Sequence, residues 1–307
     1  MPNSTTVTEF LLMRLSDVWE LRVLHAMLFL MMYLATLLGN LLTVTVTTLA
    51  QSLHTPMYFF LRNLSVLDMC YISVTVPKAC VIFLLDNRVI SMVGCAAQIF
   101  LVILFASAEL LFVTIMACDH YVAICQPLHY PVIMNPRACV QMTLTSAFSG
   151  LIYAGVHTGN AFRLSFCHSN VVHQFFCDVP SLLKLSCSDT LSNEIVIFVS
   201  VVVIAGGCFI FIIMSYMHIF SAVLKLPTRV FSTCVPHILV VTVFVVSGIT
   251  VYLKPTSNSP TTQDMVISAF YSIAPPFLNL IIYSLRNKQI IEAVRTVMSR
   301  MLYPENV

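Results

Sequence analysis

Six stretches of this 307-residue chain contain no Asp, Glu, Lys or Arg: residues 23–61, 89–108, 138–162, 195–224, 230–253 and 265–285. A seventh, 57–85, is broken only by Arg62, Asp68 and Lys78. A helix needs about 20 apolar residues to cross the hydrocarbon core of a bilayer. Inside lipid the backbone must satisfy its own polar groups, which leaves helices or a closed barrel. Barrel strands alternate polar and apolar residues over about 10 positions. Residues 195–224 show no alternation and are far too long for a strand. The pattern therefore predicts seven membrane helices, near 24–49, 57–85, 93–125, 137–160, 193–224, 229–253 and 263–285.

Composition agrees with lipid as the surrounding solvent. Apolar residues make up 59% of the chain and charged residues 9%. A soluble domain carries about 25% charged residues. The expected fold class is an all-α membrane protein, a seven-helix bundle with a short amphipathic C-terminal helix. Its expected divisions are an extracellular N-terminus at 1–23, the bundle at 24–285, and a cytoplasmic helix and tail at 286–307. There is no internal repeat, no cleavable signal peptide is apparent, and no basic run suggests nucleic acid.

Charge leaves the orientation open. With the N-terminus outside, Lys and Arg number 8 on the inner side and 7 on the outer, too small a bias for the positive-inside rule. Asn3-Ser4-Thr5 is a glycosylation acceptor that works only in the lumen, so it favours an outer N-terminus. Asn63-Leu64-Ser65 matches the same pattern at an inner membrane edge and is read as chance.

Cys70, Cys118, Cys125, Cys139, Cys208 and Cys234 lie in or beside helices and read as small apolar packing residues. Cys80, near an outer helix end, is left undecided. Cys167, Cys177 and Cys187 fall in the longest loop, and Cys95 starts the third helix. An outer loop is in an oxidising compartment, so two disulfides are expected. Four cysteines allow three pairings, and spacing does not choose among them. His168 and His173 share that loop, but disulfide sulfur is no thiolate ligand, so a metal site is disfavoured.

Several short motifs are more specific. They include Gly39-Asn40, Leu53 to Leu61 (LHTPMYFFL), Leu64-Ser65-Val66-Leu67-Asp68, and Met116 to Cys125 (MACDHYVAIC) followed by Pro127-Leu128-His129-Tyr130. Further on stand Phe175-Phe176-Cys177-Asp178, Ser215-Tyr216, Phe231-Ser232-Thr233-Cys234, Pro275-Pro276-Phe277-Leu278-Asn279 and Tyr283-Ser284-Leu285-Arg286-Asn287. In this order, on seven helices, they make the chain resemble the olfactory receptors, a branch of the rhodopsin-like G-protein-coupled receptors. Its ends resemble family fourteen.

The resemblance implies a multi-pass plasma-membrane receptor of sensory neurons. It would bind a small volatile odorant within the bundle and activate a stimulatory G protein inside. It implies the pairings Cys95–Cys177 and Cys167–Cys187. It sets the ligand pocket among helices three, five, six and seven. Val102, Ile103, Ala106 and Ser107 then stand on the third-helix wall, with Gly248, Ile249, Tyr252 and Ser272 opposite. Such walls are apolar with a few orienting hydroxyls, as small-molecule sites are. No charge lies among them, although Lys254 is close to the rim. Ordinary helix packing is the competing reading for the apolar members.

Asp68 and Glu109 sit inside apolar helices, where a carboxylate costs about 2.5–3.5 kcal/mol on insertion scales. By the resemblance they would hold sodium, with Asn40 and Asn279 completing a polar core. Oxygen ligands suit a hard cation. The plainer reading is a structural pair in which one carboxyl keeps its proton. No other cofactor is expected.

Asp119, His120 and Tyr121 stand in the motif that couples such receptors to the G protein, and here the chain departs from its relatives. His120 replaces an arginine that pairs with the Asp at rest and contacts the G protein when active. Histidine is shorter, offers no fork of donors and is largely neutral near pH 7. Leu280 replaces a proline that would kink the seventh helix. The segment Lys225-Leu226-Pro227-Thr228-Arg229 is about five residues shorter than its counterparts between helices five and six. Val245 stands where an aromatic residue is usual. Four departures on the activation path imply weakened coupling. The alternatives are a receptor fold that binds ligand with little or no signalling, and, from another class, a transporter or channel. Against the latter stands the lack of repeats, charged pore rings and broken-helix pairs. No nucleophile–base pair suggests an enzyme.

Overall fold

The computed structural model describes residues 8–166, 170–187, 190–223, 238–239, 242, 246, 273–281 and 288–302. Among these, five helices are long and apolar enough to cross a membrane. They are α1 (Trp19–Leu49), α2 (Pro56–Leu85), α3 (Met92–Cys125), α5 (Pro136–Phe162) and α7 (Leu191–Val223). Two short helices lie in loops, α4 (Tyr130–Ile133) and α6 (Val179–Leu183), and α8 (Lys288–Leu302) follows the bundle. Residues 273–281 are helical. The remainder of the sixth and seventh expected helices lies outside the described residues.

The helix starts follow local chemistry. Pro56 and Pro136 occupy first-turn positions, where the missing N–H costs nothing. Ser91 caps α3 by accepting from the Gly94 N–H at 3.1 Å, and Asn135 caps α5 by accepting from the Ala138 N–H at 2.9 Å. Among the described helices only α1 departs clearly from its expected start, beginning five residues ahead of residue 24. The extra turn carries a charge because that charge is satisfied. Arg22 Nε donates to the Phe83 carbonyl at 3.0 Å, and the guanidinium lies 5.5 Å from the Trp19 ring centroid. Hydroxyls within α1 are satisfied by the helix itself: Thr36, Thr43 and Thr47 each donate to the carbonyl four residues back. The outward faces are apolar, as at Met31, Leu34, Leu38, Leu41, Phe148 and Val203. Such a surface suits lipid and would associate in water.

A small β-sheet at the outer end was not expected from the sequence. Its strands are β1 (Glu9–Leu12), β2 (Val89–Ser91) and β3 (Val171–Val172), in the order β2-β1-β3. β1 runs antiparallel to β2, with Phe10 opposite Ile90, and parallel to β3, with Leu11 opposite Val171. Alternation sends Phe10 and Leu12 inward, both fully buried. Phe10 packs edge-on against Phe166 in an outer cluster with Phe29, Phe83 and Phe175. Arg14 follows the strand and fixes it, its Nη1 donating to both Asp86 oxygens at 3.0 and 2.9 Å. Asp86 ends α2 in a left-handed conformation (φ 54°), which turns its carboxylate-bearing residue out of the helix.

Two further contacts position the inner half. A Cβ on Gly39 would lie 2.3 Å from Leu280 Cδ1, so α1 approaches the seventh helix closely only because residue 39 has no side chain. The backbone at Leu280 and Ile281 opens into a wider, π-type turn. The expectation that leucine leaves this helix regular is therefore corrected: the distortion arises without proline, in a form frequent at functional positions. At the inner face, Ile290 of α8 packs with Val46, Leu53, Tyr58 and Leu61, and Tyr58 Oη donates to Gln289 Oε1. Glu292, Arg295, Thr296 and Ser299 face outward, so α8 is amphipathic.

Candidate functional site

Asp68 on α2 and Glu109 on α3 are both buried, with exposures of 1% and 2%. One amide holds them. Asn279 Nδ2 donates to Asp68 Oδ1 at 3.0 Å and to Glu109 Oε1 at 2.6 Å. A primary amide has two N–H groups, so both are spent on the two carboxyls. Asn279 Oδ1 is buried with no partner among the described residues. The cluster therefore presents oxygens from three side chains, the donor type that a hard cation takes. Asn40 does not complete it: Nδ2 turns back to the Thr36 carbonyl at 3.0 Å on its own helix.

Val102, Ile103, Ala106 and Ser107 are half-buried along α3. Ile103 packs against the outer cluster that includes Ile197 and Ala161. Ser107 Oγ donates to the Leu104 carbonyl at 3.0 Å, and a Cβ on Gly150 would meet that oxygen at 3.2 Å. Ser107 thus lies where α5 crosses α3. Gly248, Ile249, Tyr252 and Ser272 lie outside the described residues, as do Val245 and Lys254. A polar set that the sequence reading passed over lies nearby. Ser200 Oγ on α7 is 3.1 Å from His157 Nε2 and 3.2 Å from Tyr153 Oη, both on α5. The signal was present, since His157 interrupts an otherwise weakly polar stretch.

At the inner end of α3, Asp119 is buried and accepts from Tyr130 Oη at 2.9 Å. Burial first, and then the charge of Asp119, push the Tyr130 phenol above its usual range, so it keeps its proton and donates. His120 turns the other way, its Nδ1 2.6 Å from the Met116 carbonyl. Tyr121 is half-buried, its ring centroid 5.9 Å from that of His218.

The outer loop is joined to α3 by the Cys95–Cys177 disulfide. Gln98 reinforces the junction, accepting from the Cys177 N–H at 2.9 Å and donating to the Val74 carbonyl at 3.0 Å. Cys187 is also disulfide-bonded; Cys167 lies outside the described residues, as do Asn3 and His168. His173 Nδ1 meets Met13 Sδ at 3.0 Å, and no group of three or more metal-ligating side chains occurs among the described residues. Asp178 caps α6 by accepting from the Ser181 N–H at 3.3 Å. Desolvation pushes its carboxyl up to about 6, against the pull of that cap and of Lys184.

Residues 29–301 match the family described as Olfactory receptor. The chain is 65% identical to human Olfactory receptor 14C36, over the full length of both chains. The chain belongs to the olfactory receptor family. It is 51% identical to human Olfactory receptor 14A16, covering 94% of this chain and 95% of that one, and equally similar to human Olfactory receptor 14I1 over the same shares. Family-fourteen receptors lead the comparison, as the chain ends suggested. As an olfactory receptor it is a seven-helix, multi-pass plasma-membrane protein that responds to odorants through a G protein, and it is not an enzyme. The receptor's two buried acids share Asn279, and Asp119 at the inner end of α3 is held by Tyr130.

Proposed function

We propose that this receptor binds a small, mostly apolar volatile ligand within the helix bundle and activates a stimulatory G protein with reduced efficiency. The ligand reading rests on the charge-free α3 wall at Val102, Ile103 and Ala106, beneath a loop tied down at Cys95. Reduced coupling rests chiefly on one observation, the His120 ring folded back onto the Met116 carbonyl. The short segment 225–229 acts in the same direction, whereas Leu280 does not count, since the seventh helix is distorted there without proline. The test is a cell assay with an odorant panel, at matched surface level, beside an olfactory receptor that carries arginine at this motif position. A ligand-dependent but smaller rise in cyclic AMP is expected. Binding without any rise identifies a receptor fold that does not signal, and solute uptake without cyclic AMP identifies a transporter.

Sodium held between Asp68 and Glu109 belongs to the same proposal, supported by the unpartnered Asn279 Oδ1 beside two buried carboxyls. The purified receptor is expected to melt at a higher temperature in sodium chloride than in potassium chloride of equal ionic strength. Asp68→Asn should abolish the difference, because it removes a charged oxygen ligand. Equal melting of the native receptor in the two salts would rule sodium out.

A further inference from the structure

We propose that His157 is the polar contact of the ligand and that it selects for an alcohol. The proposal rests on the reading that the bundle holds a small apolar ligand, and it names the chemical class. His157 is 4% exposed, within a membrane helix and among apolar neighbours. It lies on the inward face of α5 between Gly150 and Ala161. Gly150 meets Leu104 and Ser107 of α3 at one end of that face. Ala161 packs at the other end in the cluster that holds Ile103, Ile197 and Val201. The imidazole is therefore level with the expected ligand wall, on a helix that the sequence reading left out of it.

The protons follow from hydrogen-bond capacity. A hydroxyl has one hydrogen to donate and two lone pairs with which to accept. Ser200 Oγ donates to the Ile197 carbonyl at 2.8 Å, the shortest of its three contacts. Its hydrogen is then committed. Both remaining contacts must be donated to it: by Tyr153 Oη at 3.2 Å and by His157 Nε2 at 3.1 Å. This fills the capacity of Ser200. It also assigns the tautomer of His157, since a neutral imidazole that donates from Nε2 has a bare acceptor at Nδ1. No contact of Nδ1 occurs among the described residues. The Tyr153 ring, with its centroid 4.2 Å away, helps to hold the imidazole in place. An open acceptor on a residue that is 4% exposed can take a donor from a bound molecule, and an uncharged volatile molecule supplies one as an O–H. A ketone, an aldehyde or an ether brings a second acceptor and leaves both unpaired.

The test uses the full receptor in lipid nanodiscs and reads ligand-induced change in melting temperature, which reports binding whether or not the receptor signals. The probes are straight-chain, branched, cyclic and terpenoid alcohols, the methyl ether of each, and the matching hydrocarbons. At least one alcohol is expected to bind about tenfold more tightly than its methyl ether, the equivalent of about 1.4 kcal/mol. His157→Phe keeps an aromatic ring beside Tyr153 and removes both nitrogens, so alcohol and ether should bind it alike. Ser200→Ala frees the tautomer and should narrow the gap as well. It is the second arm if His157→Phe fails to fold. Equal binding of alcohols and ethers to the native receptor, tighter binding of the ether, or an unchanged gap in either folded variant overturns the proposal and leaves the ligand reading standing. If no probe of any class binds, the ligand reading falls and the proposal falls with it.

Discussion

His120→Arg is expected to raise odorant-stimulated cyclic AMP severalfold at matched surface level. The imidazole has two nitrogens, and Nδ1 is engaged with the Met116 carbonyl of its own helix. A ring that donates at Nδ1 presents in its neutral form only an acceptor at Nε2. To a G protein that offers backbone carbonyls at the inner mouth, an acceptor is no partner. Arginine offers five fixed donors and a permanent charge. A hydrogen bond to a charged group contributes about 1.5–3 kcal/mol, so one restored contact is enough for a severalfold gain. Tyr130 bears on the size of the effect. It already restrains Asp119 at 2.9 Å, so the resting state does not depend on residue 120. The gain should therefore appear in the stimulated signal more than in the basal one. Adding about five polar residues after Pro227 should increase it further, because a longer loop costs little to close. If the native receptor already signals as strongly as arginine-bearing relatives, and the substitution changes nothing, the reading of weak coupling is wrong.

Cys95→Ser is expected to remove most of the receptor from the cell surface. A disulfide in an oxidising compartment contributes about 2–5 kcal/mol, against a total stability of about 5–15 kcal/mol for a folded domain. This one closes a sequence separation of 82 residues and lies within the buried outer cluster. Its loss also loosens Gln98, whose amide ties the Cys177 N–H to the Val74 carbonyl. Staining of intact cells should show surface level falling to about a tenth or less. Cys177→Ser should match it, and the double variant should be no worse than either, since one bond is lost in each case. A surface level within about twofold of the native receptor in either single variant would show that the bond is dispensable.

How much of this was legible beforehand depends on the range of each interaction. The membrane helices were legible because the absence of charge is a property of the segments themselves, and Ser91, Asn135, Pro56 and Pro136 mark their starts. The early start of α1 was not legible. It depends on Arg22 finding the Phe83 carbonyl, a partner distant in sequence. The outer sheet escaped for the same reason, since strands of two to four residues carry too little periodicity to be read. Asp68 and Glu109 were conspicuous as charges within apolar helices, but their joint hold on Asn279 needed the fold. Asn40 was expected in that cluster by resemblance, yet a carbonyl one turn back on its own helix satisfies it first. His157 was visible as a letter and silent as chemistry until Ser200 fixed which of its nitrogens accepts.

The outer sheet also bears on how the receptor is made. Its central strand, β1, is synthesised first, while its neighbours β2 and β3 come later, with Val171 emerging after four membrane helices have been made. In that interval β1 waits in the lumen with Phe10 and Leu12 unburied, because Phe166 and Phe175 of their cluster do not yet exist. Pairings so distant in sequence form slowly. Exposed aromatic side chains and open strand edges are what lumenal chaperones bind. The sheet can thus close only late in biogenesis, and the first strand to be translated is among the last to find its place.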